Sequence, residues 1–378
     1  MRLVSYAAAI AAGTAALPAA ADVTARQVWD DMRGYLGSFG YEVTATEARS
    51  GDTLTVTDMA LRLPLPDDGG SVALEVPELA LVENDDGTVR LIYPPTSHLR
   101  IEARPPDEPP ADMTFDLTQS GLTVVVSGDP GQMSYDYEAE TLGMALTDLV
   151  VDGDPVPAEA MRVALTAEGM SGRSLVTPGD LRRIEQMVTL AQVGYEIEAT
   201  APAGEEGSAA VSGGMRAVSF EGTGTVPRGM DLENMAAAVE AGYAFDGQFG
   251  YVDGNSAFTF TEDPDETVTG TTQAARGSFG ASMDGERMRY FARGAGTEMR
   301  VESGELPFPV EIGIGESAMS VSAPVAAGEA PEPFGLSLLI GDFAMGEGSW
   351  NIFDAQGMLP RDTASVSFDI SGLQRSTE

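Results

Sequence analysis

Leu54-Thr55-Val56-Thr57-Asp58-Met59-Ala60-Leu61-Arg62-Leu63 changes phase in its middle. Leu54 and Val56 share one face of a strand, whereas Met59, Leu61 and Leu63 have the opposite parity. A straight strand would send half of these apolar side chains into solvent, so the chain must bulge or bend near Thr57-Asp58. Two segments echo the pattern: Val76-Pro77-Glu78-Leu79-Ala80-Leu81 and Leu146-Thr147-Asp148-Leu149-Val150-Val151. In the first echo the shift falls at Pro77-Glu78, and proline suits an edge or bulge position. Similar bends in successive strands curve a sheet.

Outward from this stretch, alternating apolar and polar residues continue from Gly40 onward, broken by frequent turn signals. That pattern marks antiparallel β-structure. Asn84-Asp85-Asp86-Gly87, Asp253-Gly254-Asn255 and Asp284-Gly285 read as hairpin turns. The fold class is mainly β: an extended, curved antiparallel sheet (meander, open half-barrel or sandwich-like) with a few short docked helices. One helix opens this region, because Thr24 and Gln27 form a capping box ahead of Val28, Trp29, Met32, Leu36 and Phe39 at helical spacing. Others are predicted over Pro178 to Gln192 after Thr177, over Leu232 to Tyr243 after Asp231, and from Trp350 until Gly357 and Pro360 stop it. Arg104 to Asp112, with four prolines, Ala201 to Gly207 and Ala323 to Pro333 read as joints. The first separates an N-terminal helix and sheet (22–103) from a β-rich main region (113–378) possessing its own or a continuous sheet. An outer-membrane barrel is the poorer architecture, since the candidate outward faces carry charges and the last residues are Arg375-Ser376-Thr377-Glu378.

Composition removes whole classes of chemistry. With no cysteine and a single histidine, His98, one chain cannot assemble the usual zinc sites. A Ser-His-Asp triad would need His98, and no G-x-S-x-G elbow supplies the serine. All basic residues are arginine, which excludes Schiff-base chemistry on lysine. A net charge of −38, with 59 acidic residues, repels phosphate backbones and argues against nucleic-acid binding. Asp263, Asp265 and Glu266 around Pro264 read as a solvated turn rather than a cation site. No cofactor is expected. Paired carboxylates leave glycan hydrolysis as an enzymatic alternative, because that reaction needs only two acids at the right separation.

The most suggestive constellation is aromatic. Tyr243, Phe245, Phe249 and Tyr251 share a parity, and after a turn at Asp253-Gly254-Asn255 the returning strand would add Phe258 and Phe260. Either register of that hairpin keeps the rings together, opposite Asp246, Gln248, Gly250, Thr259 and Thr261. Two readings stand side by side: a core wall beneath the preceding helix, and a groove for an acyl chain or similar apolar ligand. In the next hairpin, Arg287, Arg289 and Arg293 on one strand and Glu298, Arg300 and Glu302 on its partner read as a solvated charge ladder.

Residues 1–21 read as a secretory signal: Arg2, an uncharged stretch from Leu3 to Leu17, and Ala19-Ala20-Ala21 as the cleavage site. No later stretch is apolar enough for a membrane helix, so the exported form is expected not to be an integral membrane protein. Several segments together resemble an uncharacterised family of alphaproteobacterial exported proteins, domain-of-unknown-function family 2125. They are Gln27-Val28-Trp29-Asp30-Asp31-Met32, Phe39-Gly40-Tyr41-Glu42-Val43, Ser127-Gly128-Asp129-Pro130, Met133-Ser134-Tyr135-Asp136-Tyr137, Gly341-Asp342-Phe343, Trp350-Asn351-Ile352-Phe353-Asp354 and Leu359-Pro360-Arg361-Asp362. The resemblance implies a periplasmic, β-rich protein with no catalytic residues to carry over, in a family whose members often continue past Ser365 to Asp369. The expectation is a non-catalytic periplasmic protein that binds a lipid or other apolar molecule on its aromatic face. A structural or partner-binding envelope protein without a small ligand is the alternative.

Overall fold

The computed structural model describes residues 22–65, 69–105, 108–201, 206–230, 234–263, 266–325, 331–354 and 356–374. The expected signal segment, the Asp231 cap and the Pro264-Asp265 part of the acidic turn lie outside them. Helix α1 (Ala25–Ser38) leads into β1 (Glu42–Ser50), β2 (Thr53–Pro64), β3 (Gly70–Glu83), β4 (Val89–Ile92), β5 (Thr96–Ala103), β6 (Ala111–Ser120) and β7 (Thr123–Asp129). Then follow β8 (Gln132–Val151), the short β9 (Asp154–Pro155), β10 (Met161–Thr177), β11 (Leu181–Thr200) and β12 (Ser208–Pro227). Helix α2 (Met235–Glu240) precedes β13 (Ala244–Thr261), β14 (Thr267–Met283), β15 (Arg287–Ser303), β16 (Val310–Pro324) and β17 (Glu332–Met345). Helix α3 (Glu347–Phe353) and β18 (Ala364–Gln374) complete the order.

All eighteen strands belong to one antiparallel sheet. The ladder runs from β1 through β2 to β3. There β3 meets β5 with its first half and β4 with its second. These two pair with β6 and β7 respectively, and both of the latter pair with β8. From β8 the sheet passes to β10 and proceeds as a meander to β18. Both sides of β2 are taken by β1 and β3, and both sides of β10 by β8 and β11, so among the described residues the long strands with an open edge are β1 and β18, beside the two-residue β9. The strands flanking the expected proline-rich joint, β5 and β6, pair directly with each other in this sheet.

The phase change read in β2 is present, at Asp58, whose φ of 50° lies in the left-handed region. Leu54, Val56, Met59 and Leu61 are all buried as a result. Val76 and Leu79 in β3 are buried on either side of the Pro77 shift, and β8 shifts register opposite Thr114 and Phe115. The bend extends far beyond these three strands. Gly169, Ala217, Asp253, Gly296 and Asp342 also have positive φ, each in mid-strand. Register places them in one transverse row: Gly121 lies against Glu140, Gly169 against Ala191, Gly296 against Ala275, and Gly315 against Asp342. The strands from β10 to β17 change their alternation at that row; most neighbouring pairs keep one register through it, while β12 with β13 and β17 with β18 shift locally, and the sheet creases along the row.

Asp253-Gly254-Asn255 is therefore not a hairpin turn. It lies inside the continuous strand β13, where Asp253 (φ 49°) forms part of the crease. An Asp-Gly pair signals tolerance of positive φ, and here that tolerance serves a crease instead of a turn. Likewise Gly294-Ala295-Gly296 is mid-strand, and Arg287 through Glu302 all belong to β15. The expected cross-strand charge ladder does not form there. Arg300 instead pairs with Glu302 of its own strand and Glu311 of β16. The helix expected over Pro178 to Gln192 is strand β11. Leu181, Ile184 and Val188 fit helical spacing, but Ile184, Val188 and Leu190 also fit period two, and pairing with β10 and β12 decides between them. Helix α2 occupies only part of its expected span, whereas the turns at Asn84 to Gly87 and Asp284-Gly285 join strands as read.

Helix α1 begins with both halves of its capping box in place. Val28 and Trp29 are fully buried in a core with Leu54, Val56, Leu79, Leu81, Val89, Leu91, Val126 and Met133. Trp29 donates to Glu47 of β1 at 2.6 Å, while Asp31 pairs with Arg182 of β11. These two side chains leave the helix about 200° apart around an axis roughly 10–12 Å across. Along the sheet, β1 and β11 are seven inter-strand steps apart, roughly 33 Å if flat. The sheet therefore curls around α1, with the helix wedged against its apolar side.

Candidate functional site

Alternation and register assign each residue of β10 to β18 to one of two faces. On the face continuous with the α1 core, β12 places Val211, Met215, Val218 and Phe220, and β15 places Met288, Tyr290, Met299 and Val301. Strand β17 adds Phe334, Leu336, Leu338 and Ile340, paired with Gly372, Ile370, Phe368 and Val366 of β18. From β12 to β18 the strands contribute one charged residue to this face, Glu332 at the start of β17. Arg216, Glu221, Asp246, Arg276, Glu311, Glu316, Asp369 and the charges of β15 all point the other way.

The six aromatic residues singled out above lie on this apolar face, brought together by the crease. Phe245, Phe249 and Tyr251 lie on one side of Asp253 and Phe258 and Phe260 on the other, along one strand. The expected pairings of Tyr251 or Phe249 with Phe258 and Phe260 do not occur. Phe249 instead pairs with Phe220 of β12 and Phe279 of β14, stacking on the latter at 4.9 Å between centroids. Phe258 and Phe260 lie 5.4 Å apart. Only Tyr243 packs in the small cluster beneath α2, with Val226, Met230 and Ala238.

A second regularity explains the abundance of glycine. A Cβ at Gly277 would lie 2.5 Å from Tyr251, and one at Gly270 would overlap the Phe258 ring. Gly213 and Gly372 stand in the same relation to Tyr195 and Phe334. In every case the glycine is the direct cross-strand partner of the ring. The rings thus lie down on bare backbone, giving a flat apolar floor instead of a row of upright side chains. Pair register was needed to see this, so the sequence alone did not disclose it.

Beyond α1 this floor is open. Phe260 is 46% exposed, Phe279 56% and Phe368 51%, and Leu165, Ile197, Phe220, Tyr290, Met319 and Leu338 are exposed as well. From β10 to β18 the floor crosses eight inter-strand steps, roughly 38 Å. A depression of about 950 Å³ lies instead on the polar face along the crease, lined by Thr166, Glu196, Asp253, Asn255, Gln273 and Glu298. His98 is half exposed in β5 and bonds Asp116 at 2.8 Å. Among the described residues no group of acidic or histidine side chains has the arrangement of a metal site, and no helix is long and apolar enough to cross a membrane.

Beside α1 the apolar side does carry charge. Arg182 donates two hydrogen bonds to Asp31, at 2.6 and 2.7 Å, with its guanidinium 4.6 Å from the Tyr35 ring. Tyr135 donates to Asp31 at 3.1 Å. Burial first, and then that neighbouring carboxylate, drive the Tyr135 phenol far above its ordinary range. Burial alone pushes the adjacent Tyr93 up to about 12. These groups hold a helix against a sheet in a largely buried layer. Compared with known proteins, the chain matches no family model, no curated protein and no solved structure.

Proposed function

We propose that this protein binds apolar molecules of the lipid class, laying acyl chains across the strands of its open apolar face. The observation that carries this reading is the coexistence of an almost uncharged face from β12 to β18 with high exposure of its rings, in a chain of net charge −38. Exposed apolar area of this extent marks an interaction surface, since soluble proteins rarely leave more than a few hundred Å² contiguous. An open floor suits flexible chains better than a compact ligand held by converging polar groups. The exported, periplasmic setting implied by residues 1–21, and membership of the family the sequence resembles, belong to the same proposal, as does a non-catalytic role.

Titration with a fluorescent long-chain fatty acid tests it. Saturable binding is expected, weakened at least tenfold by Phe249→Gln combined with Phe279→Gln in a protein of unchanged circular dichroism. Absence of saturable binding to the unmodified protein would sink the proposal.

A further inference from the structure

The sheet's two open edges differ in a way that points to a partner. Strand β1 carries Glu42, Glu47 and Arg49 and is irregular between Thr44 and Thr46, and charge and bulges are the devices that keep an edge from pairing. Strand β18, Ala-Ser-Val-Ser-Phe-Asp-Ile-Ser-Gly-Leu-Gln, has neither proline nor a basic residue, and Asp369 is its one charge. It bonds to β17 on one side and to nothing on the other among the described residues. Val366 is 63% exposed and Phe368 51%, on the apolar face.

We propose that the free edge of β18 pairs antiparallel with β18 of a second copy, joining two sheets into one continuous apolar face across a twofold axis. The strand is self-complementary in one register. With Phe368 on the axis, Val366 faces Ile370, Ala364 faces Gly372, and Asp369 faces Ser367, so apolar residues meet apolar residues and the two carboxylates stay apart. Moving the axis to Asp369 sets the carboxylates directly opposite, which is destabilising. Moving it to Ser367 shortens the ladder. An axis between residues would pair apolar with polar positions and break the face. A dimer made in this way is isologous and closed, so it does not propagate into fibres.

The absence of cysteine makes the test direct. Single cysteines are placed at 366, 367, 368, 369 and 370 of the whole protein, air oxidation is followed on non-reducing gels, and mass is measured by sedimentation over a range of salt. The expected result is a dimer favoured by salt, which screens the repulsion between two acidic copies, with cross-linking greatest for Phe368→Cys. Val366→Lys, an inward charge on the edge, should return the protein to a monomer with unchanged circular dichroism. A monomer at every salt concentration, or larger assemblies whose cross-linking shows no maximum at 368, would overturn the proposal.

Discussion

Asp31 of helix α1 and Arg182 of β11, 151 positions apart, form a two-point ion pair at 2.6 and 2.7 Å, with 7% and 12% of their side chains exposed. The pair closes the curl of the sheet over the helix. Replacing Arg182 by methionine strands a buried carboxylate and should cost on the order of 3–5 kcal/mol. The double replacement Asp31→Leu with Arg182→Met should recover most of that loss. Urea midpoints of the three proteins check it, and equal losses in the single and double variants would show that the pair is not what holds the wedge.

The crease stores strain at one identifiable place. Ala217 has φ 44°, a conformation that costs a residue with a Cβ about 1–2 kcal/mol. Ala217→Gly should therefore raise stability by about 1 kcal/mol, a gain of a few degrees in melting temperature. Calorimetry that finds the variant less stable would mean that Ala217 is unstrained.

Glycine under an aromatic ring is the second testable rule. Gly270→Ala places a methyl group in the Phe258 ring and should destabilise by about 1–3 kcal/mol. Gly285→Ala, in a turn with open space around it, should stay within about 0.5 kcal/mol of the parent. Similar effects at both positions, measured by denaturant unfolding, would remove the packing argument.

Glu47 predicts a pH dependence. The Trp29 hydrogen bond first, and then the Arg26 guanidinium, hold its carboxyl below the ordinary value of 4.5. A depressed folded value contributes stability above about 4.5 that is lost as pH falls through the folded value. The stability advantage of the parent over Glu47→Gln should therefore be full at neutral pH and shrink in acid. An advantage that does not change with pH would contradict the assignment.

The capping box of α1, the phase shift at Asp58 and the turns at Asn84 to Gly87 and Asp284-Gly285 were legible because each is a local pattern with one physical solution. Asp253-Gly254 misled because it states that positive φ is allowed without stating whether the chain reverses there. Strand β11 misled because its apolar residues satisfy two periods, and only neighbouring strands settle which applies. The Asp31 and Arg182 pair, and the rings resting on Gly270 and Gly277, depend on register between distant segments. The six aromatics were grouped correctly on one face through the wrong geometry. A hairpin and a crease both reverse the alternation once, so they leave the same parity in the sequence.

Native mass spectrometry of the protein purified from the cells that make it, followed by organic extraction, shows whether the apolar floor carries a ligand. A co-purifying lipid or other apolar molecule is expected, lost when Phe249 and Phe279 are replaced by glutamine in a folded protein. A mass equal to that of the bare chain, with nothing apolar in the extract, would contradict it.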